Sequence, residues 1–266
     1  MGMEKKMEKE VFPGACSCMT LTSKTGRHYW FRTCDIDTDI WKEGAHVVKQ
    51  AAGSVIVYGN GKKETNRYSF IGMTYNKSDT WLLDGINEHG LTGGLLMLYE
   101  GTSVDKEGEG REGYIGMELV TKILASCKNV EEVIRLAKQI QVLDIPVKDK
   151  KIPATMHYFF TDCRGDEVIL EAAEKENPGV FKIFQREEIT GVMTNSPPYE
   201  KQIQNLSWFL SQSPELKQGL NGQAITKLDL DGREIQADAN AKHLSVTGTF
   251  PGSYCSYDRF IRLTIL

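Results

Sequence analysis

The sequence lacks the apolar segments that would hold it in a membrane or direct it through one. No apolar run approaches the ~20 residues that a membrane-spanning helix needs. Residues 1–12 are rich in charge and contain no apolar stretch of the kind that secretory signals carry. These absences argue against a membrane anchor and predict a cytoplasmic protein.

A large excess of charge of one sign is also missing. The chain has 32 Lys and Arg against 36 Asp and Glu, which gives a net charge of −4, and the two signs are interspersed. Without a basic stripe, the chain is not expected to bind nucleic acid. The Gly-x-Gly-x-x-Gly and Walker patterns are absent, which argues against the common nucleotide-binding sites.

Cysteine is scarce, and its spacing is wrong for a scaffold or a metal site. The six cysteines are Cys16, Cys18, Cys34, Cys127, Cys163 and Cys255. That number is too small for a disulfide framework in 266 residues, and there is no Cys-x-x-Cys. Cys16 and Cys18 lack the second pair that a zinc site would need, so no metal is expected. Reduced thiols in a cytoplasm are the simplest interpretation.

What is present begins with a hairpin at residues 16–35. Residues 17–23 alternate polar and apolar side chains, residues 24–27 form a turn around Gly26, and residues 28–34 predict the returning strand. Antiparallel pairing of the two strands brings Cys16 close to residues 32–35.

The rest of the chain predicts strands, then helices, then strands again. Predicted strands lie at 54–58, 68–73, 91–98, 157–161, 168–172, 180–184 and 191–194, and predicted helices lie at 114–127, from Asn129 onward, and at 199–211. Residues 103–113 are acidic and rich in glycine, which predicts a loop. This order favours a layered α+β fold over alternating βαβ units, and no linker divides the chain.

Cys16 is the strongest candidate for a catalytic residue. It follows Pro13-Gly14-Ala15, a segment of small residues at which the chain could be cut. A cut after Ala15 would leave Cys16 with a thiol nucleophile and its own α-amine as base, whose pKa is ~7.7–8.0. One route is attack of the Cys16 thiol on the Ala15 carbonyl, an N-to-S shift and hydrolysis of the thioester. Such a chain would be a self-activating amidase.

Other interpretations of these residues are open. Cys16 could be a small buried apolar residue, as most free cysteines are. Cys18 is a rival nucleophile, although a place in the core suits it better, and the other four cysteines are interpreted as structural. The five histidines form no clear cluster; His28 could pair with a cysteine, but the hairpin would place it near the turn and away from Cys16.

Four sequence blocks resemble the choloylglycine hydrolase family, which contains conjugated bile acid hydrolases and penicillin V acylases. They are Cys16-Ser17-Cys18 with Gly26, Arg32 and Asp35; the Asp-Gly-x-Asn-Glu-x-Gly-Leu block at 84–91; the Thr-Asn-Ser-Pro block at 194–197; and Arg259-Phe260-Ile261-Arg262. Their order is that of the family, and together they span residues 16–266. Members of this family are N-terminal nucleophile hydrolases.

The resemblance implies a four-layer αββα sandwich, a homotetramer and no cofactor. It also implies that residues 1–15 are a leader and that residues 16–266 form a single hydrolase domain. Cys16 would be nucleophile and base, with Asp35 holding its amine and thiol and Arg32 favouring the thiolate. Asn195 would donate a hydrogen bond to the oxyanion, and Arg259 would balance the charge of the site.

The sequence departs from the family pattern at two places. Met97 stands where bile salt hydrolases tend to have Asn and penicillin acylases Tyr; its side chain cannot donate a hydrogen bond, but its backbone N–H could serve the oxyanion. The chain ends at Leu266, whereas relatives usually continue for several more strands, so either the sequence is truncated or the sheet lacks its final strands. Met97, Asn87 and Trp81 are candidate substrate contacts, and Trp30, Leu83 and Tyr99 are candidate pocket walls.

The implied function is hydrolysis of linear, non-peptide C–N bonds in N-acyl small molecules. The acyl group would be bulky and apolar (a steroid acyl, phenoxyacetyl or fatty acyl group), and the amine would be small and polar. An amidase acting on N-acyl homoserine lactones or N-acyl amino acids is an alternative. A non-catalytic binding protein that keeps its leader is another.

Overall fold

The computed structural model describes residues 15–35, 39–108, 110–144, 156–210, 227–230, 233–236 and 253–265. The predicted leader therefore lies outside the described residues, apart from Ala15. The strands are β1 (Ala15–Thr22), β2 (His28–Asp35), β3 (Val47–Gln50), β4 (Val55–Val57), β5 (Lys63–Thr65), β6 (Phe70–Thr74), β7 (Leu82–Asn87), β8 (Thr92–Met97), β9 (Glu112–Ile115), β10 (Ile140–Leu143), β11 (Met156–Thr161), β12 (Glu167–Glu171), β13 (Lys182–Gln185), β14 (Val192–Thr194), β15 (Lys227–Leu230) and β16 (Arg233–Gln236). The α-helices are α1 (Leu119–Ser126), α2 (Val130–Ala137), α3 (Tyr199–Leu210) and α4 (Ser256–Ile265), and 3₁₀ turns lie at Gly116–Glu118 and Arg186–Glu188.

Two antiparallel sheets form the centre of the molecule. The large sheet has seven strands in the order β13-β12-β11-β8-β7-β6-β3, and the small sheet has three strands in the order β14-β1-β2. Three two-stranded ribbons, β4-β5, β9-β10 and β15-β16, complete the described strands. Helices α1 and α2 pack on the large sheet, whereas α4 packs on β1 and β14 and contacts α3.

Alternating side chains divide the large sheet between two cores. Tyr158 and Phe160 on β11 belong to the helix-side core, formed with the residues of α1 and α2. Phe159, between them in sequence, belongs to the intersheet core, which contains Cys16 and Cys18 of β1. Because successive side chains of a strand point to opposite faces, a strand buried throughout requires cover on both sides. All of β11 is buried, so the described residues form the four layers α, β, β and α.

The two sheets approach closely where Gly94 of β8 meets Trp30 of β2. A Cβ atom on Gly94 would lie 3.0 Å from the tip of the Trp30 indole and 2.5 Å from the Leu83 carbonyl oxygen. Only a residue without a side chain leaves room for this contact. The neighbouring Gly93 makes a similarly close approach, because a Cβ atom there would lie 2.3 Å from the Phe159 carbonyl oxygen.

Most elements agree with the sequence-based predictions, and the α+β fold class is confirmed. The hairpin has strands at Ala15–Thr22 and His28–Asp35, with Gly26 at φ 76° in the turn. The predicted strands at 91–98, 157–161, 168–172, 180–184 and 191–194 all exist, with slightly different ends. Asn129 caps α2, since its side-chain oxygen accepts the Glu132 N–H at 3.0 Å.

Three predictions were wrong in part. The strand at 54–58 does not lead directly to the strand at 68–73, because Gly59–Gly61 turns the chain into β5 first. Residues 103–113 are not wholly a loop, and the predicted helix at 114–127 begins as strand β9 and a 3₁₀ turn before α1 starts at Leu119. Strand β9 pairs in parallel with β10, which follows only after α1 and α2. This pairing cannot be inferred from the local sequence pattern.

A search of the described residues for helices that are long and apolar enough to cross a membrane finds none.

Candidate active site

The β1–β2 hairpin places the thiol of Cys16 on the inner face of the small sheet. Cys16 lies directly opposite Cys34, and Cys18 lies opposite Arg32. Directly opposed residues of an antiparallel pair share one face, so these four side chains point toward the large sheet. Cys16 is 5% exposed and Cys18 is 1% exposed. The alternation of the hairpin sequence is what fixes this arrangement.

Arg32 brings a buried positive charge to the Cys16 thiol. Its Nη2 atom lies 3.6 Å from Cys16 Sγ, while Nη1 donates to the Leu83 carbonyl oxygen at 2.9 Å. The same Nη1 lies 3.2 Å from Asp84 Oδ2, and the Arg32 side chain is 8% exposed. Burial raises the pKa of the Asp84 carboxyl, and the Arg32 guanidinium opposes that shift. Asp84 and the Leu83 carbonyl thus hold the guanidinium against the thiol.

The Cys16 thiol is prepared to ionise. A hydrogen bond from the Cys34 thiol and the positive charge of Arg32 lower the pKa of Cys16 to about 6, against the opposing effect of burial. The same hydrogen bond, together with burial, raises the pKa of Cys34. Of the two thiols, Cys16 is therefore the one that loses its proton first, and Cys34 stays protonated beside it. Thiolates and not thiols attack carbonyl carbons, so Cys16 is the nucleophile that this geometry favours.

Asn195 reaches Cys16 from the end of β14. The Cys16 backbone N–H donates to Asn195 Oδ1 at 2.5 Å, and Asn195 Nδ2 donates to the Met97 carbonyl oxygen at 3.2 Å. Gln202 of α3 fixes the loop that carries Asn195, because its Nε2 donates to the Asn195 and Pro197 carbonyl oxygens at 2.9 and 2.8 Å. The amide of Asn195 thus lies between Cys16 and β8.

Arg259 reaches the same group from α4, the helix that packs on β1 and β14 of the small sheet. Its Nη1 donates to the Cys16 carbonyl oxygen and to Ser17 Oγ, both at 2.5 Å. Its Nη2 donates to Asn195 Oδ1 at 3.1 Å. The structure therefore brings Cys16, Arg32, Asn195 and Arg259 together, although the last two are separated from Cys16 by 179 and 243 residues along the chain.

Asp35 is close to this group but is not bonded to Cys16. It is exposed and opposite Ala15 in the hairpin register, and its Oδ2 accepts from Thr33 Oγ1 at 3.5 Å. Its charge is felt by Arg259. The Cys16 nitrogen is a neutral peptide N–H here, so it offers the carboxylate no charge to bind. Asp35 lies beside the peptide bond that a cut after Ala15 would break.

The three predicted substrate contacts are placed differently from one another. Met97 is half-buried at the end of β8 and touches the site through its carbonyl oxygen. Trp81 is buried in the helix-side core, which does not include Cys16.

Asn87, predicted as a substrate contact, has a side-chain amide that is already engaged in hydrogen bonds within the fold. Its Nδ2 donates to the Leu124 and Cys127 carbonyl oxygens at 3.0 and 2.6 Å, and its Oδ1 accepts two backbone N–H groups. Asn87 thus anchors the turn after β7 to α1, as buried side-chain amides commonly do.

Sequence reasoning missed three residues that shape the site. Asp84 opens the block at 84–91 and was given no role of its own in the site, but it pairs with Arg32. Cys34 was interpreted as structural, although its place opposite Cys16 follows from the predicted register. Gln202 gave no sequence signal, since its importance depends on the packing of α3 against the Asn195 loop.

The alternative sites find little support in the geometry. Cys18 is buried, its Sγ lies 3.5 Å from the Met193 carbonyl oxygen, and burial raises the pKa of its thiol. His28 pairs with Thr22 at the turn end of the hairpin, away from Cys16, and its Nδ1 lies 2.9 Å from Thr22 Oγ1. Among the described residues, no group of three or more His, Cys, Asp or Glu side chains could hold a metal ion.

Comparison with known proteins adds to this geometry. The model of a family described as linear amide C–N hydrolases, choloylglycine hydrolase family, matches residues 16–266. A bile salt hydrolase/transferase of Clostridium perfringens is 27% identical over 257 residues, which cover 94% of this chain and 71% of the relative. A conjugated bile acid hydrolase of Lactobacillus acidophilus is 24% identical over 247 residues, which cover 89% of this chain and 75% of the relative.

Solved structures resemble the fold. A variant of conjugated bile acid hydrolase from Clostridium perfringens superposes with a TM-score of 0.72 and 23% identity, covering 94% of this chain and 70% of the other. Penicillin V acylase from Agrobacterium tumefaciens superposes with a TM-score of 0.59 and 23% identity, covering 74% of this chain and 58% of the other. These likenesses support the four-layer fold predicted from the sequence blocks.

Proposed function

The chain belongs to the choloylglycine hydrolase family of linear amide C–N hydrolases, and from that premise we propose that Cys16 cleaves N-acyl amides with a bulky apolar acyl group. The single observation that carries the proposal is the convergence of Arg32, Asn195 and Arg259 on Cys16. A thiol beside a buried guanidinium is an activated nucleophile. Asn195 and Arg259 form hydrogen bonds with the Cys16 backbone, where the C–N bond of a substrate would be cleaved.

The site requires release of the Cys16 nitrogen from its peptide bond. We propose that residues 1–15 are a leader and that residues 16–266 form the working hydrolase domain. After the cut, the Cys16 nitrogen becomes an amine with a pKa of ~7.7–8.0, able to take and return a proton at neutral pH. Its protonated form would carry a charge beside Asp35, which supports the role of that carboxylate in holding the new N-terminus.

The proposed reaction proceeds through a thioester. The Cys16 thiolate attacks the acyl carbon, and the oxygen of the tetrahedral intermediate accepts a hydrogen bond from Asn195 Nδ2, which now donates to the Met97 carbonyl. Collapse breaks the C–N bond, and the ammonium form of the Cys16 amine gives its proton to the leaving amine. The amine then removes a proton from water, which hydrolyses the thioester and restores the thiolate.

The apolar surroundings of Cys16 support a bulky apolar acyl group. The Cys16 sulfur lies in the intersheet core, which also contains Leu96 and Phe159. Relatives named for conjugated bile acids and a structural neighbour named for penicillin V fit this chemistry. We propose conjugated bile salts and penicillin V as the substrates to test first.

The test combines an intact mass with an assay of amine release. The purified protein should have lost residues 1–15 and should release glycine from glycocholate or the β-lactam amine from penicillin V. N-acyl homoserine lactones and N-acyl amino acids complete the panel, and hydrolysis of these alone would favour the alternative amidase.

The matched variants are Cys16→Ala and Cys163→Ser, the second of which removes an exposed thiol. Because Cys16→Ala removes the nucleophile, we expect it to lower kcat/KM by at least ~10³-fold, and Cys163→Ser should change it less than about twofold. Full turnover by Cys16→Ala, or by a protein that keeps its leader, would overturn the proposal.

Two further predictions concern the setting of the enzyme. We propose that it works in the cytoplasm as a homotetramer. All six cysteines are free, which suits a reducing compartment, and Leu21, Tyr29 and Phe31 leave apolar surface exposed on the outer face of the hairpin. Light scattering during gel filtration tests the tetramer, and cell fractionation tests the location.

A further inference from the structure

Cys34 stands directly across the hairpin from Cys16, and no catalytic step proposed above uses it. We propose that Cys34 is a resolving thiol, which forms a disulfide with Cys16 after a hydroperoxide has oxidised the nucleophile. The pair would be a modification site that converts the hydrolase to an inactive and recoverable form. This inference rests on the proposed function in one respect: a site that admits an acyl amide also admits a smaller hydroperoxide.

The backbone geometry suits a disulfide. Residues directly opposite each other in an antiparallel pair have Cα atoms ~4.5–5.5 Å apart, and their side chains share a face. Disulfides are found at Cα separations of ~4.4–6.8 Å. Cys34 also packs against the intersheet core that contains Cys16. The bond therefore requires side-chain rotation and a small adjustment of β2, without rearrangement of the sheet.

The protonation states of the two thiols fit the order of events. Cys16 carries the negative charge that the pair shares, stabilised by the Cys34 thiol and by Arg32, and its pKa is lowered to about 6. Thiolates react with hydroperoxides, so Cys16 is the first to be oxidised. The hydrogen bond to Cys16 raises the pKa of Cys34. Once Cys16 has become a neutral sulfenic acid, its charge no longer raises the pKa of Cys34, and Arg32 still lowers it against the effect of burial.

The disulfide between Cys16 and Cys34 would form in two steps. In the first, the Cys16 thiolate attacks the terminal oxygen of the hydroperoxide ROOH and the O–O bond breaks; with one proton taken from solvent, the products are Cys16 sulfenic acid and the alcohol ROH. In the second, the Cys34 sulfur attacks the Cys16 sulfur, the S–O bond breaks, and water leaves with the proton of Cys34. A dithiol reductant restores both thiols by exchange. Disulfide formation competes with further oxidation of Cys16 to the irreversible sulfinic acid.

The other cysteines are less suitable partners. Cys18 follows two residues later on the same strand, so its Cα lies ~6.6 Å from that of Cys16, near the upper limit for a disulfide. Its thiol also lies against the Met193 carbonyl in the core. Cys127 is buried in the helix-side core, and Cys163 and Cys255 are exposed. The register of β1 and β2 singles out Cys34.

The experiment treats the purified full chain with a modest excess of hydrogen peroxide at neutral pH, then maps the unreduced protein. Trypsin separates the two cysteines, because Lys24, Arg27 and Arg32 lie between them. We expect the peptide that carries Cys16 and Cys18 to be joined to residues 33–42, with fragmentation placing the bond at Cys16 and an intact mass lower by about 2 Da for the two lost thiol hydrogens. Dithiothreitol should release the peptides and restore hydrolysis.

Cys34→Ser is the diagnostic variant and Cys163→Ser its matched control, each compared with its own untreated activity. After peroxide and then dithiothreitol, we expect wild type and Cys163→Ser to regain at least ~10-fold more of the lost activity than Cys34→Ser. In Cys34→Ser, Cys16 should gain about 32 Da as the sulfinic acid.

Two results would overturn the inference: a wild-type protein in which Cys16 is oxidised with no link to Cys34, or equal recovery in Cys34→Ser. The mapped disulfide is read from mass alone, so it stands even if the protein hydrolyses none of the proposed substrates. It also keeps the test decisive if Cys34→Ser fails to fold. Hydrolysis without the disulfide would leave the proposed function intact and remove only this inference.

Discussion

Two buried cations of this protein, Lys122 and Arg32, differ in how completely they are paired. The Lys122 side-chain nitrogen, on α1, lies 2.5 Å from Glu64 Oε2, and the Tyr114 hydroxyl donates to Glu64 while lying 2.8 Å from Glu112 Oε2. This group spans α1, β5 and β9, and within it Lys122 Nζ and both Glu64 oxygens each have a partner. Its evident effect is to hold the helix layer to two ribbons.

Arg32 is paired less completely, and its remaining capacity faces a thiol. One nitrogen bonds to Asp84 and the Leu83 carbonyl, a second points at Cys16 Sγ, and Nε has no hydrogen-bond partner among the described residues. A buried cation with an incomplete partner set favours any neighbour that can become negative. Comparison with Lys122 teaches that incomplete pairing, and not burial alone, distinguishes the candidate site from a structural ion pair.

Replacement of Arg32 should give the largest effect. Arg32→Gln keeps a hydrogen-bonding side chain but removes the charge that stabilises the Cys16 thiolate. Hydrogen bonds to charged groups contribute ~1.5–3 kcal/mol, so we expect kcat/KM to fall ~10²-fold. Arg164→Gln is the control, because Arg164 is exposed and pairs with Asp162 and Asp166 on a turn. Equal activity in the two variants would contradict the distinction drawn above.

The pH dependence of Cys16 alkylation sharpens the same comparison. With a pKa lowered to about 6, Cys16 is mostly thiolate at pH 7, and its rate with iodoacetamide should fall only as the pH drops through about 6. Unperturbed thiols lose their reactivity below ~8.5. Mass mapping follows Cys16 and Cys163 in one sample, and in Arg32→Gln the Cys16 midpoint should rise. A Cys16 midpoint near the ~8.5 of an unperturbed thiol would show that Cys16 is not activated.

Removal of Lys122 should affect stability more than chemistry. Lys122→Met leaves Glu64 without its cation, and breaking a buried pair on one side is destabilising. Because the Glu64 side chain is 27% exposed, we expect a smaller loss than for a fully buried pair, about 2 kcal/mol in the free energy of unfolding, measured with urea. The kcat/KM of the folded variant should stay within about twofold of wild type. A loss comparable to that of Arg32→Gln would place Lys122 in the reaction.

Local pattern predicted the hairpin well, because the information lies within twenty consecutive residues. Alternation sets the faces of β1 and β2, and Gly26 supplies the left-handed conformation that the turn requires. The register then follows from the turn, so the proximity of Cys16 to Arg32 could be predicted before any coordinates. The same register placed Cys34 opposite Cys16, but no sequence pattern marked that thiol as more than structural.

Distant partners were harder to predict, for a physical reason. Strand β9 is stabilised by pairing with β10. Neither strand is long enough or alternates clearly enough to be predicted from sequence. Asn87 stood in a block associated with catalysis, yet its amide is consumed by the carbonyl groups at the end of α1. Asp84, the first residue of the same block, is the member that reaches the site, where it pairs with Arg32.

The sequence by itself determined the α+β class, the β1–β2 hairpin and the neighbourhood of Cys16 and Arg32, since short-range alternation and turn chemistry fix these features. Only the tertiary structure decided which other side chains meet them. Asn195 and Arg259 arrive from the end of β14 and from α4 because Gln202 holds the Asn195 loop and the outer helices pack on the small sheet. Such contacts depend on the burial of whole layers, which no short segment encodes.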